Sequence, residues 1–334
     1  MDTTDFSYEE TMEHLALLAN EALGLWELPT GSKARLINVS ENETFLVEAP
    51  GGFKSILRIH REDYHTETAI ACEHAWSRSL NEEGGVKTPD ILPGRNGSTI
   101  QSATSTALGQ KRYLVMFEFV EGSEPDQQDD LTTGFEELGE IAAKTHLHSI
   151  DWERPEPFER LVWDLDTVFG EEATWGNWRD GPNIGRQTRQ VLEQVEATVI
   201  ERLTRYGRGT DRFGLIHADM RLANLLITKG ETRLIDFDDC GLGWLMYDFA
   251  AGISFMEDDP RIPELKQAWV RGYRSVRPLS EEDEVEIPTF VMMRRLALLA
   301  WIGSHSEVDI AKELAPTFAP VSEELGRNYL ASLA

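Results

Sequence analysis

The chain has 334 residues, 41% of them hydrophobic, enough to bury the core of one large domain or of two lobes. Its 32 basic and 59 acidic residues leave a net charge of −27 with no Lys/Arg-rich run, a surface that repels nucleic acid and anionic membrane. Two cysteines, Cys72 and Cys240, exclude a disulfide framework. Together with an acidic N-terminus and no run of about 20 apolar residues, they point to a cytoplasmic protein. Acidic clusters at Asp126 to Asp130, Glu257 to Asp259 and Glu281 to Glu286 read as solvated loop and helix-end charges.

In chain order, residues 7–23 carry Leu15, Leu18 and Ala22 at helical spacing. Strand-like runs follow at Ala34 to Val39, Thr44 to Glu48 and Ser55 to His60, the first two joined by the polar tip S-E-N-E, which contains Ser40 and Asn42. The third run places Arg58 among apolar neighbours, where a cation needs a partner; a helix over 66–80 offers Glu67 and Glu73. Lys87 to Leu92 begins a loop and strand, and Arg112 to Phe119 reads as an apolar strand. E-G-S-E-P-D, with Gly122 and Pro125, then breaks the pattern. The expected division is an N-terminal lobe, 1–120, and a C-terminal lobe, 121–334.

Leu131 to Ile150 is helical, and its H-x-H pair, His146 and His148, points to two different faces, which argues against a metal site. Residues 152–184 are rich in Trp and Pro with little periodicity, a candidate lining for an acceptor pocket. Helices are expected over Thr188 to Arg205, Pro263 to Val276, Pro288 to His305 and 320–333. The third of these is too short and too charged to span a membrane, and its Arg294, Arg295 and Trp301 are candidates to face the acceptor.

The chemistry concentrates between residues 213 and 241. A loop with His217, Asp219 and Asn224 runs into the apolar strand Leu225 to Ile227. Lys229-Gly230 makes a turn, and Thr232 to Ile235 leads to Asp236, Asp238 and Asp239. A hairpin brings its ends together, so Asp219 and Asn224 are expected near Asp236. Carboxylate and amide oxygens suit Mg²⁺, which is commonly shared with substrate phosphates, and a carboxylate that is not a ligand can accept a proton. That combination fits phosphoryl transfer.

The set H-x-D-x-x-x-x-N, an apolar hairpin and I-D-F-D resembles the aminoglycoside phosphotransferase and choline kinase-like family, nearest its homoserine-kinase-like and stress-response-kinase-like bacterial members. The resemblance implies an α+β, two-lobed protein-kinase-like fold, with a small antiparallel-sheet N-lobe and a larger, mostly helical C-lobe. It implies ATP and Mg²⁺ as cofactors and a small-molecule hydroxyl acceptor as partner, in a monomer or homodimer. In its terms Asp219 is the catalytic base, Asn224 and Asp236 hold Mg²⁺, and Asp238 takes a second cation or touches the acceptor. Arg58, steadied by Glu73, grips the α and β phosphates, and Ser40 and Asn42 replace a glycine-rich loop. Met116, the Phe117 carbonyl and the Phe119 N–H receive adenine. His146 and Asp248 are expected to brace the catalytic loop. The chain departs from the family in lacking G-x-G-x-x-G, in H-A-D for H-G-D and in arginine for lysine at position 58. A protein Ser/Thr acceptor and a non-catalytic nucleotide-binding module are the alternative readings.

Overall fold

A computed structural model describes residues 6–39, 41–122, 131–228 and 231–333. Ser40, Pro125 with the acidic run 126–130, and the Lys229-Gly230 turn lie outside the described residues. The backbone divides into two compact units. The first comprises Met1–Arg78, Thr88–Glu121 and Arg154–Glu159, the second Ser79–Lys87, Gly122–Glu153 and Arg160–Ala334.

In the first unit, helix α1 (Tyr8–Ala22) starts at a capping box in which Ser7 and Glu10 exchange side-chain-to-backbone hydrogen bonds. Strands β1 (Lys33–Val39), β2 (Glu43–Ala49) and β3 (Phe53–Ile59) precede helix α2 (Glu67–Glu82). Strands β4 (Ile91–Leu92), β5 (Gln101–Ser105) and β6 (Gln110–Glu118) complete an antiparallel sheet of order β1-β2-β3-β6-β4, with β5 also on β6. Alternate residues of the central strands supply the core: Phe45 and Val47, Leu57 and Ile59, Leu114 and Met116 meet Leu15, Leu18 and Ala19 of α1. β5 has no counterpart in the sequence reading. Its five residues, Q-S-A-T-S, contain one hydrophobic side chain, so no apolar alternation marks them.

The second unit is mostly helical. It holds α3 (Leu131–Asp151), β7 (Leu161–Trp163), α4 (Leu165–Phe169), α5 (Arg186–Tyr206), β8 (Phe213–Ile216), the hairpin β9 (Leu225–Thr228) and β10 (Glu231–Leu234), and β11 (Gly241–Trp244). Helices α6 (Tyr247–Gly252), α7 (Ile262–Val276), α8 (Glu281–Ser304) and α9 (Asp309–Ser332) follow. β11 lies parallel to β7 and antiparallel to β8, so the Trp-rich segment enters the fold as a strand beside the one that follows Asp239. No helix among the described residues is long and apolar enough to cross a membrane.

Helices α3 and α7 cross at glycines. A Cβ on Gly139 would stand 2.0 Å from the Trp269 carbonyl oxygen, and one on Gly272 would stand 1.8 Å from that of Glu136. Both obstacles are backbone, which yields only if the helices separate. Gly272→Ala is therefore expected to cost about 2–3 kcal/mol, the upper range for overpacking. Urea unfolding measures it, and a loss below about 1 kcal/mol would show that the crossing relaxes freely.

Candidate active site

The loop after β8 is built by a hydrogen-bond chain that begins far from it. Asp248, fully buried on α6, accepts the Ala218 N–H at Oδ1 (2.7 Å) and the His217 N–H at Oδ2 (3.2 Å). The same Oδ2 is 2.9 Å from His146 Nε2 on α3, while His146 Nδ1 is 2.9 Å from the Tyr273 hydroxyl on α7. Arg277 donates to that hydroxyl at 2.9 Å. Because the Asp248 carboxylate only accepts, Nε2–H donates to it, and in a neutral imidazole Nδ1 then accepts from the Tyr273 hydroxyl, which itself accepts from Arg277. Every member of the chain then has a consistent direction with a neutral imidazole.

Burial holds the His146 imidazole below its ordinary pKa, although Asp248 pulls the other way. The sign of the pH effect follows. Below about pH 6.5 the unfolded chain takes up a proton that native His146 refuses, so stability falls with acidification, by at most about 1.4 kcal/mol per pH unit. The stability advantage of wild type over His146→Gln is expected to shrink between about pH 7 and pH 5.5 in urea unfolding. An advantage independent of pH would mean that the native imidazole titrates normally.

His217 holds the loop in shape. The Asp219 N–H reaches its Nδ1 (3.3 Å) and its Nε2 lies 3.1 Å from the Ile235 carbonyl, the residue before Asp236. Ala218 sits at φ +64°, a left-handed conformation in which glycine is relaxed and alanine strained by about 1–2 kcal/mol. That is the physical meaning of H-A-D replacing H-G-D.

Asn224 ends a short 3₁₀ turn, Leu222–Asn224. Its Nδ2 donates to the Asp219 carbonyl (2.8 Å) and to Asp219 Oδ2 (2.9 Å), which leaves the amide oxygen as the atom able to ligate a cation. The Ile235 N–H donates to the Asn224 carbonyl at 2.9 Å, one step beyond the last hairpin pair, Leu225 and Leu234. The hairpin thus brings Asn224 and Asp236 to the same end. Asp236 itself has φ +62°, a region that aspartate tolerates better than branched residues.

The turn that follows is pinned by residues the sequence reading missed. Arg160 donates through Nε to the Cys240 carbonyl (2.8 Å) and also bonds the Asp238 carbonyl, while Trp163 Nε1 donates to the Asp239 carbonyl (2.8 Å). Asp238 is buried on this turn. Both pinning residues come from the aperiodic Trp-rich segment, where only the tryptophans signalled order.

Two guanidinium groups also reach Asp219. Arg221 Nε lies 3.1 Å from Oδ1 and 3.2 Å from Oδ2, and the Arg294 guanidinium, on α8, donates to Oδ1 at 3.2 Å. Arg294 is also held by Ser254 Oγ (3.1 Å) and lies over the Trp175 ring (4.9 Å). Of the three acceptor-side candidates on α8, Arg294 therefore joins the site. Arg295 turns away into a buried pair with Glu257, and Trp301 stacks on His305.

In the first unit, Arg58 pairs with Glu73 and not Glu67, at 2.8 Å with both side chains buried, and lies over the Phe117 ring (5.0 Å). Met116 is fully buried in the sheet core, and Phe119 follows the end of β6 beneath Lys54 (5.0 Å). Asn42 is buried, with its Oδ1 accepting the Arg61 N–H (3.1 Å), so its amide N–H₂ is the part left for an anion.

Among the described residues no group of three or more His, Cys, Asp or Glu is arranged for a metal. One amide oxygen and one or two carboxylates still fit a hard cation that draws its remaining ligands from water and phosphate.

The model of the Phosphotransferase enzyme family matches residues 33–279. A solved structure of a microcompartment-associated aminopropanol kinase is 41% identical, with TM-score 0.87, over 95% of this chain and 98% of that one. Amicoumacin kinase of Bacillus subtilis is 25% identical over 253 residues, 73% of this chain and 72% of that protein. Homoserine kinase of Gluconobacter oxydans is 27% identical over 194 residues, 53% of this chain and 57% of that protein. The chain belongs to the phosphotransferase enzyme family and is a kinase of protein-kinase-like fold.

Proposed function

We propose that the protein is a cytoplasmic, ATP- and Mg²⁺-dependent kinase that phosphorylates the hydroxyl of a small amino alcohol of the aminopropanol type. The observation that carries the reading is the Asp219–Asn224 lock at the end of the hairpin that leads to Asp236. The 41% identity to an aminopropanol kinase over nearly the whole of both chains supports the acceptor class.

In this reading the acceptor oxygen bonds to the γ-phosphorus as the bond to the β–γ bridging oxygen breaks. The hydroxyl proton passes to Asp219, and ADP leaves. Asn224 and Asp236 would hold Mg²⁺, and Asp238 would take a second ion or touch the acceptor; when bound, the cation would neutralise charge on the phosphates. Arg58, fixed by Glu73, grips the α and β phosphates as a planar fork, with Ser40 and Asn42 donating to phosphate oxygens. Met116, the Phe117 carbonyl and the Phe119 N–H receive adenine. The protein's own contribution is positioning and charge neutralisation, which is most of what phosphoryl transfer requires.

The test is coupled ADP release with Mg-ATP against 1-amino-2-propanol, ethanolamine, choline and homoserine, with casein as a protein acceptor. Stimulation by an amino alcohol supports the proposal. Labelling of casein with no small-molecule stimulation would overturn the acceptor class, and nucleotide binding without turnover on any acceptor would overturn the activity.

A further inference from the structure

We propose that Arg221 is a latch on Asp219 which the acceptor hydroxyl must displace, so that the kinase discriminates against water as an acceptor. The inference rests on the reading of Asp219 as the proton acceptor.

Three donors cover both oxygens of the Asp219 carboxylate. Arg294 is on Oδ1 (3.2 Å), Asn224 on Oδ2 (2.9 Å), and the single Nε–H of Arg221 is shared between Oδ1 (3.1 Å) and Oδ2 (3.2 Å). A carboxylate offers about four lone-pair directions, so the shared bond sits across the positions a hydroxyl would need. A base in this state cannot take a proton until a donor leaves.

The three donors differ in how firmly they are held. The Arg294 side chain is 3% exposed and fixed by Ser254, Tyr247 and Trp175. Asn224 is buried and bonded a second time to the Asp219 backbone. The Arg221 side chain is 31% exposed, so its charge regains water on leaving. Of the three, Arg221 is released at least cost.

An aromatic ring stands beside Arg221 while it is on Asp219. The Arg221 guanidinium lies 6.0 Å from the centre of the Phe255 ring, a cation–π distance. Phe255 has φ +71°, a conformation costing a bulky residue on the order of 1–3 kcal/mol and kept only where its surroundings impose it. Trp301 (6.0 Å) and Phe318 (6.3 Å) flank its ring. The strain holds an aromatic face beside the more exposed of the two arginines on Asp219.

With an alcohol bound, its oxygen bonds to the γ-phosphorus, the bridging bond breaks, and its proton passes to the unlatched Asp219. With water, the same bonds would form and break to give inorganic phosphate and ADP, again with the proton going to Asp219. Water brings no carbon skeleton to pack against a guanidinium displaced from Asp219, so the latch suppresses this second course.

The experiment measures ADP and inorganic phosphate release from Mg-ATP without acceptor, for wild type, Arg221→Met, Arg221→Gln, Asp219→Asn and the Arg221→Met/Asp219→Asn double variant. Expected is a rise of about 10-fold or more in acceptor-free release for both Arg221 variants, lost in the double variant. Acceptor-free release unchanged from wild type in folded, nucleotide-binding Arg221 variants overturns the latch. So does a fall in acceptor-stimulated turnover with no rise in hydrolysis, which would make Arg221 a phosphate contact. If Asp219→Asn alone keeps full acceptor-stimulated turnover, the underlying reading of the base fails, an outcome separate from either of these.

Discussion

Asp219→Asn is expected to lower kcat by about 10²-fold or more, the range for loss of a general base, while Mg-ATP binding changes little. The substitution keeps the side chain's shape and its place on the loop, because His217 and Asp248 hold that loop through backbone amides. It removes the negative charge and turns one acceptor oxygen into an N–H₂ group facing Arg221 and Arg294 or Asn224. Measuring kcat and acceptor KM separately, with nucleotide affinity by calorimetry, isolates the chemical step. Turnover near that of wild type would remove Asp219 from the mechanism.

The second large effect concerns stability. Glu257 and Arg295 form an ion pair of 2.5 Å with side chains 1% and 2% exposed, and Arg295 also bonds Ser322 Oγ (2.8 Å) and the Phe318 carbonyl (3.2 Å). Burial pushes the Glu257 carboxyl above its usual range, against the pull of Arg295, so the pair depends on both partners being present. Glu257→Ala strands a guanidinium in the core and is expected to cost about 3–5 kcal/mol in denaturant unfolding. Replacing both members by methionine is expected to recover much of that loss, since two apolar side chains need no partner. A loss below about 1 kcal/mol in the single variant would mean that water reaches Arg295. Ser254, which holds Arg294, lies three residues before Glu257, so activity is expected to fall with the same unfolding transition.

The acidic stretch Glu257 to Asp259 also shows where reading charge from sequence fails. It was expected to be solvated, and Asp259 does pair with Arg261 on the surface, yet Glu257 is buried. Glu286, in another such cluster, is likewise buried and meets Arg202 at 2.6 Å. Composition reports how many charges a segment carries. Which of them meets a guanidinium from another helix depends on how the helices cross.

The loop between β8 and β9 was the most legible part. His217, Asp219 and Asn224 lie within eight residues, and a short hairpin of alternating pairs returns the chain to Asp236, so local geometry alone brings the loop and the aspartate together. The strands β1, β2, β3 and β6 were legible for a similar local reason: each is a short run rich in apolar residues, alternating in β2 and nearly continuous in β6. β5 and β7 were not, because the first is polar and the second is three residues long, and both are strands only because a neighbour supplies hydrogen-bond partners.

The sequence by itself thus determined the reaction class, the loop that gathers His217, Asp219 and Asn224 ahead of the hairpin, and the order of the main helices and strands, all set by residues close in the chain. The pairing of Arg58 with Glu73 was already implied by the family resemblance, whereas the tertiary structure alone decided that Arg294 and not Arg295 reaches Asp219. It also decided that Tyr273 and Arg277 extend the bracing of the loop by His146 and Asp248. These pairings join residues up to 127 positions apart. A buried polar group must find a partner, and the sequence states that need without saying which of several equally suitable side chains the packing of helices will bring within 3 Å.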